Sequence, residues 1–262
     1  MKRKLLPAPP ADRPGAVIAM AASEGGLQAL SVILGGLPAD FPAAIAIVMH
    51  VSPHHESILA KILDRRSQLE VREAKTGDFL CPSCVFVAPP NHHLSVAQDG
   101  RLKLSSSSAQ KIHYARPSAE PLFASVAKVF KKNAIAVVLT GGDGDGSFGV
   151  QIIKDQGGQV IAQDRPTSEN FSMPESSIRT GDVDFVLPLD EIGPKLIELV
   201  ERGVHAALRS ATPKRSELAE PAGHRGLKRP EGRAPRRHAP SHSRATPRYP
   251  AGTKAAKVTR RK

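Results

Sequence analysis

Short aliphatic runs alternate with helical periodicity between residues 16 and 205. The runs at 17–21, 44–49, 134–139, 158–162 and 183–187 predict strands. They are apolar at successive positions, so both faces are covered, as in a parallel sheet packed on two sides. Between them apolar residues recur every three or four positions, predicting helices at 26–37, 55–66, 119–131, 147–156 and 190–206. In the third helix Leu122, Phe123, Val126, Val129 and Phe130 form one stripe. This alternation predicts an α/β fold: a three-layer α/β/α, doubly wound, mostly parallel, Rossmann-like sheet. Eight even units are not there, which argues against a closed barrel. The stretch 70–106 breaks the pattern. Its short runs at 85–88, 93–96 and 102–104, with Asp99-Gly100 before the last, predict an antiparallel hairpin element inserted into the parallel unit.

Charge divides the 262-residue chain more sharply than hydropathy does. The formal net charge is +12. Residues 209–262 hold 16 Lys or Arg and 3 Glu, a formal +13, whereas residues 1–208 hold 21 against 22 acidic side chains and stand at −1. The end segment is proline-rich and has few large apolar side chains. It has little surface whose burial would offset the entropy of ordering, so a basic disordered tail is expected. Such a tail could contact an acidic protein, a lipid or a nucleic-acid surface through charge. Its one aromatic residue, Tyr249, is a poor basis for stacking on single strands. Residues 1–15, with four prolines, are expected to form a flexible arm, and 16–208 the folded domain. No apolar run approaches the roughly 18 residues of a membrane span. Met1-Lys2-Arg3-Lys4-Leu5-Leu6-Pro7 has a basic flank but no apolar stretch suited to export, so a cytoplasmic protein is expected.

Three predicted strand ends carry usable chemistry. Ser23 follows the first strand and precedes Glu24-Gly25-Gly26 and a helix. A hydroxyl there stands near a helix N-terminus, which favours developing negative charge. The same turn could cradle a phosphate or cap the helix. His50 closes the second strand, and Asp145 lies in Gly141-Gly142-Asp143-Gly144-Asp145-Gly146 after a third. A nucleophilic serine needs a base, and the base an orienting acid, so these three could form a triad without being close in sequence. His54 and His55 are rival bases, and Asp143, Asp145 and Asp164 are also residue types common in loops. The glycine-rich loop lacks a calcium-loop arrangement, and neither a P-loop lysine nor a Gly-x-Gly-x-x-Gly pattern follows the first strand. Cys81-Pro82-Ser83-Cys84 has the spacing of a redox pair or half a zinc site, with His92 and His93 nearby. Adjacent histidines in an extended segment point opposite ways, so a structural role is the expectation and no metal is assigned.

Seven segments in order resemble the catalytic domain of the chemotaxis protein-glutamate methylesterases. They are Ala22-Ser23-Glu24-Gly25-Gly26; Ile47-Val48-Met49-His50-Val51-Ser52-Pro53; the run from Val85-Phe86-Val87 through Pro89-Pro90-Asn91-His92-His93-Leu94; Arg116-Pro117-Ser118-Ala119-Glu120-Pro121-Leu122-Phe123; Leu139-Thr140-Gly141 through Asp145-Gly146; Gly157-Gly158 through Gln163-Asp164; and Phe171-Ser172-Met173-Pro174. The resemblance covers about 16–204. It implies a Ser23 nucleophile, a His50 base, an Asp145 triad acid, the Gly142 backbone N–H as oxyanion donor, and no cofactor. It implies methylated chemoreceptor glutamates as substrates, with deamidation of receptor glutamines as a second activity. The family architecture has a receiver domain ahead of the esterase domain. With 15 residues before the first strand, none is expected here. The pattern is departed from at Glu24, where the family has Thr or Ala, and at Gly142-Asp143, where it has Met-Gly. A carboxylate at Glu24 would oppose charge on the attacked oxygen unless it points away. These departures leave one alternative, a catalytically weakened interaction module; the basic tail leaves another, polyanion or nucleic-acid binding.

Overall fold

The strand β1 (Ala16–Ala22) is buried at every position, and its alternating side chains feed two separate cores. In the computed structural model, which describes residues 13–50, 57–112 and 115–211 (backbone only over 204–211), seven parallel strands form the sheet. The other six are β2 (Ala43–Met49), β3 (Glu70–Glu73), β4 (Cys84–Val87), β7 (Ala134–Val138), β8 (Gln159–Gln163) and β9 (Phe185–Leu187). Their order is β3-β4-β2-β1-β7-β8-β9. The remaining strands, β5 (Leu94–Val96) and β6 (Leu102–Leu104), pair antiparallel as a separate hairpin.

Ile18 and Met20 enter one core with α1 (Gly26–Gly35), α2 (Leu59–Asp64) and α6 (Leu189–Ala211). Val17, Ala19 and Ala21 enter the other, with α3 (Ala119–Phe130), α4 (Ser147–Asp155) and the hairpin. This two-sided burial is the physical reason the strands read as unbroken aliphatic runs. Phe123 is fully buried in the second core, and truncating such a side chain costs about 3–5 kcal/mol.

Three features differ from expectation. Residues 85–87 were expected in the hairpin, but they form β4, an interior strand pairing parallel with both β2 and β3. All four β4 residues are buried, which is the mark of an interior strand rather than a hairpin arm. β3 was not foreseen. It is an edge strand in which Val71 alone is buried, and charged edges of this kind resist pairing with other chains. The last, α5 (Ser172–Ile178), has no apolar stripe to announce it, and its Pro174 sits in the first turn, where no N–H is needed. The helix expected over 55–66 is described only as α2, residues 55 and 56 lying outside the described set. α6 runs to Ala211, past the boundary expected at 208. The rest of the expected tail, and residues 1–12 of the expected arm, also lie outside it.

The chain order places the functional region. From β1 the sheet is built outward through β2 and β4 on one side and through β7 and β8 on the other. The crevice of an open α/β sheet forms where the order reverses, beyond the carboxyl ends of the strands. Here that is the junction of β1, β2 and β7.

Candidate active site

Register sets the first two residues of the site side by side. Ala22 of β1 is paired with Met49 of β2, so Ser23 and His50 are the next residues out on neighbouring strands. The His50 N–H donates to the Ala22 carbonyl at 3.1 Å. On the other side the Ser23 N–H donates to the Thr140 carbonyl at 3.0 Å, tying the turn to the end of β7. Gly25 then takes a left-handed φ of 75° to start α1. A side chain there would also collide with Glu169. Gly141 permits the closest approach: an added Cβ would lie 2.9 Å from the Ser23 Cβ and overlap the Met173 Sδ. Glycine at 141 therefore lets the loop after β7 lie directly on Ser23. Ser23 lines a cleft of about 360 Å³ with Gly25, Met49, Arg66 and Glu169.

His50 is held by two acids from that loop. Its Nε2 lies 3.0 Å from Asp145 Oδ2, and its Nδ1 lies 3.2 Å from Asp143 Oδ2. The Ser23 hydroxyl is hydrogen-bonded to neither, and has no partner among the described residues. Asp143 thus shares the ring, whereas Asp164 Oδ1 accepts from the Thr167 N–H and hydroxyl in its own turn. The rival bases His54 and His55 lie outside the described residues.

Asp145 is fully buried and fixed by the start of α3. Its Oδ1 accepts the Ser118 hydroxyl at 2.5 Å, and its Oδ2 accepts the Ala119 N–H at 2.6 Å. A carboxylate at a helix N-terminus is favoured by the unpaired N–H groups and the helix dipole. Ser118 is itself the N-cap, accepting from the Glu120 N–H at 3.3 Å. Glu120 in turn caps α4. Its carboxylate accepts the N–H groups of Gly146 at 3.0 Å, Phe148 at 3.2 Å, and Gly149. Burial and the nearby Asp145 hold its pKa above the usual carboxylate range despite those bonds. Ser118 and Glu120 were read only as part of the family pattern, with no role assigned. Their spacing as cap and second helical residue was the available signal.

Glu24 does not turn fully to solvent. Its Oε2 accepts from Asn170 Nδ2 at 2.8 Å and stands 3.7 Å from where a Gly142 side chain would begin. The Gly142 N–H makes no hydrogen bond among the described residues. Cys81 and Cys84 are joined as a disulfide. His92 Nδ1 donates to the Pro90 carbonyl, and His93 Nε2 donates to Gln110 while its Nδ1 accepts the Ser118 N–H. The two histidines are therefore occupied in local structure rather than turned toward the cysteines. No group of three His, Cys, Asp or Glu suited to a metal ion is found among the described residues.

The His50 pKa is pushed from 6.5 up to about 9. Burial lowers it, but the bonds to Asp143 and Asp145 and their charges raise it further. A base in the usual histidine range would lose activity below pH 6–7. With both acids on the ring, any activity that needs a neutral His50 should have its acid limb above that range. Stability follows the same linkage. The folded state binds this proton more tightly than the unfolded chain, so the stabilisation is fully present below pH 6.5 and disappears as pH rises through about 9. It amounts to about 3 kcal/mol at most. The difference in urea-unfolding free energy between wild type and His50→Gln should shrink over that window. A difference that stays flat from pH 6 to 9.5 would contradict the pairing.

The family described as CheB methylesterase matches residues 18–196. The chain belongs to the CheB methylesterase family. The protein-glutamate methylesterase/protein-glutamine glutaminase 2 of Anaeromyxobacter dehalogenans is 44% identical over 183 residues, covering 70% of this chain and 53% of the relative. A Thermotoga maritima protein named as a protein-glutamate methylesterase/protein-glutamine glutaminase is 40% identical over 187 residues, covering 71% and 54%. This chain thus spans about half the length of the curated relatives it matches. The crystal structure of the Thermotoga maritima CheB methylesterase catalytic domain aligns with a TM-score of 0.67 at 39% identity, covering 71% of this chain and 98% of that one. The expected fold class agrees with this neighbour and with the observed sheet. No helix among the described residues is long and apolar enough to cross a membrane.

Proposed function

We propose that this CheB-family domain hydrolyses glutamate methyl esters by acyl transfer through Ser23, His50 and Asp145. The observation that supports it most is the His50 Nε2 contact with buried Asp145 Oδ2 at 3.0 Å, beside Ser23 at the switch point of the sheet. Ser23 Oγ attacks the ester carbonyl as His50 takes its proton. Asp145 holds the ring and stabilises the imidazolium. The Gly142 N–H, which has no other partner among the described residues, donates to the oxyanion. His50 returns the proton to the departing methoxide, and methanol leaves. Water, activated by the same base, then attacks the acyl-enzyme and frees the glutamate carboxylate. A glutamine side chain would follow the same path with ammonia as leaving group, in keeping with the double name of the relatives. No step calls for a cofactor. The substrate would be the methylated cytoplasmic region of a chemoreceptor. Methanol release from receptor fragments bearing glutamate methyl esters tests this. Wild type should release it and Ser23→Ala should not.

Glu24 modulates the same step. Its exposed carboxylate lies close to Gly142, so it opposes the oxyanion through partly screened space. Glu24→Gln should raise kcat by about three- to tenfold at low ionic strength, from a charge a few ångströms away in a high-dielectric setting. The gain should narrow with added salt. A fall in kcat would instead give Glu24 a positive role.

A further inference from the structure

We propose that Asp143 is a latch on the base: it occupies the His50 ring nitrogen that must receive the Ser23 proton, and reaction begins only when it lets go. The role given to His50 rests on the esterase reading above; the geometry of the latch does not.

An ionised carboxylate only accepts hydrogen bonds. A histidine with a carboxylate on each nitrogen therefore carries hydrogen on both and has no lone pair to offer. In a working triad one ring nitrogen belongs to the acid and the other faces the hydroxyl. Here Nε2 is given to Asp145 at 3.0 Å, so the proton acceptor is Nδ1, and Asp143 Oδ2 is 3.2 Å from it. The ring is loaded rather than ready.

The two acids are built differently. Asp145 is fully buried and pinned by the Ser118 hydroxyl and the Ala119 N–H. Removing it from the ring would strand those donors. The Asp143 side chain is 37% exposed, and the residue sits between Gly142 and Gly144. Its other oxygen accepts the Asp145 N–H at 3.1 Å. When it swings out, water rehydrates it, the Nδ1 proton passes to solvent, and Nδ1 is free to accept from Ser23. Asp143, more exposed and flanked by two glycines, is the acid to which the proposal assigns the movement.

Among the described residues, the charged groups acting on His50 are Asp143 and Asp145. From the turn after β1, Glu24 is bonded to Asn170. From α3, Glu120 is engaged by the N–H groups of α4. His54, His55 and Glu56 follow His50 outside the described residues. The raised pKa of about 9 accords with the double grip, burial alone acting the other way. At pH 7 such a ring is held mostly in its protonated form.

The test uses the full chain as wild type, Asp143→Asn, Asp143→Gly and Ser23→Ala. The His50 imidazole is titrated by heteronuclear NMR, with its resonance assigned through His50→Gln. Methanol release from methyl-esterified receptor fragments is followed over the same pH range. In both Asp143 variants the His50 midpoint should fall by about one pH unit or more, and the rate at pH 7 should rise about tenfold or more. An unchanged midpoint would overturn the latch. A lower midpoint with a lower rate would also overturn it, making Asp143 an orienting acid that the reaction needs. If no form exceeds Ser23→Ala in methanol release, the esterase reading fails, and the titration alone decides whether Asp143 holds the ring.

Discussion

Asp145→Asn should lower kcat about 10³- to 10⁴-fold with the domain still folded, the loss seen when a triad acid is neutralised. The three groups facing Asp145 are the Ser118 hydroxyl, the Ala119 N–H and His50 Nε2. All three donate to a carboxylate. An asparagine fits only by turning its NH₂ to Ser118 Oγ, which must then accept, leaving one oxygen for Ala119 and His50. The fold survives that exchange, but the negative charge that sustains the imidazolium is gone. Asp145→Ala should be worse for the fold, because it strands buried donors at the start of α3. Each unsatisfied donor costs about 1–3 kcal/mol. Thermal unfolding should therefore rank wild type, then Asn, then Ala, whereas the kinetic losses of Asn and Ala should be similar. A stable, active Asp145→Ala would remove this residue from the proposed triad.

Ser23→Ala should abolish measurable turnover, a loss of about 10⁴-fold or more, and adding His50→Ala to it should lose little further. In the proposed mechanism His50 has no task without the hydroxyl it deprotonates. Ser23 is half-buried with its hydroxyl free of partners among the described residues, so its truncation leaves no buried group unsatisfied. The melting temperature should stay within a degree or two. Steady-state kinetics of the two single variants and the double variant check this. Losses that multiply would show two residues acting independently.

The sequence made β1 and the turn after it readable because burial on both faces leaves an unbroken aliphatic run, and Gly25-Gly26 marks its end. The same logic failed at β3. There one apolar residue, Val71, stands among charges, and the strand exists because β4 offers it an edge. Nor could the sequence say which of Asp143 and Asp145 is buried. They lie two residues apart in a glycine-rich loop, where strand alternation does not apply. The choice is made by Ser118 and Ala119, which arrive with α3 from far upstream in the chain and supply the donors that bury Asp145. The double grip on His50 was hidden for a related reason. Either acid alone reads as a triad partner, and only the folded loop shows that both reach the ring.

The central claim is that Ser23 is the nucleophile of an esterase site. The most direct measurement is labelling of the full chain with a fluorophosphonate, followed by peptide mapping and parallel assay of methanol release. The account predicts one phosphonyl group on Ser23, with activity lost in step with labelling, and no label on Ser23→Ala. Methanol release that continues undiminished after Ser23 is labelled, or that persists in Ser23→Ala, would contradict it.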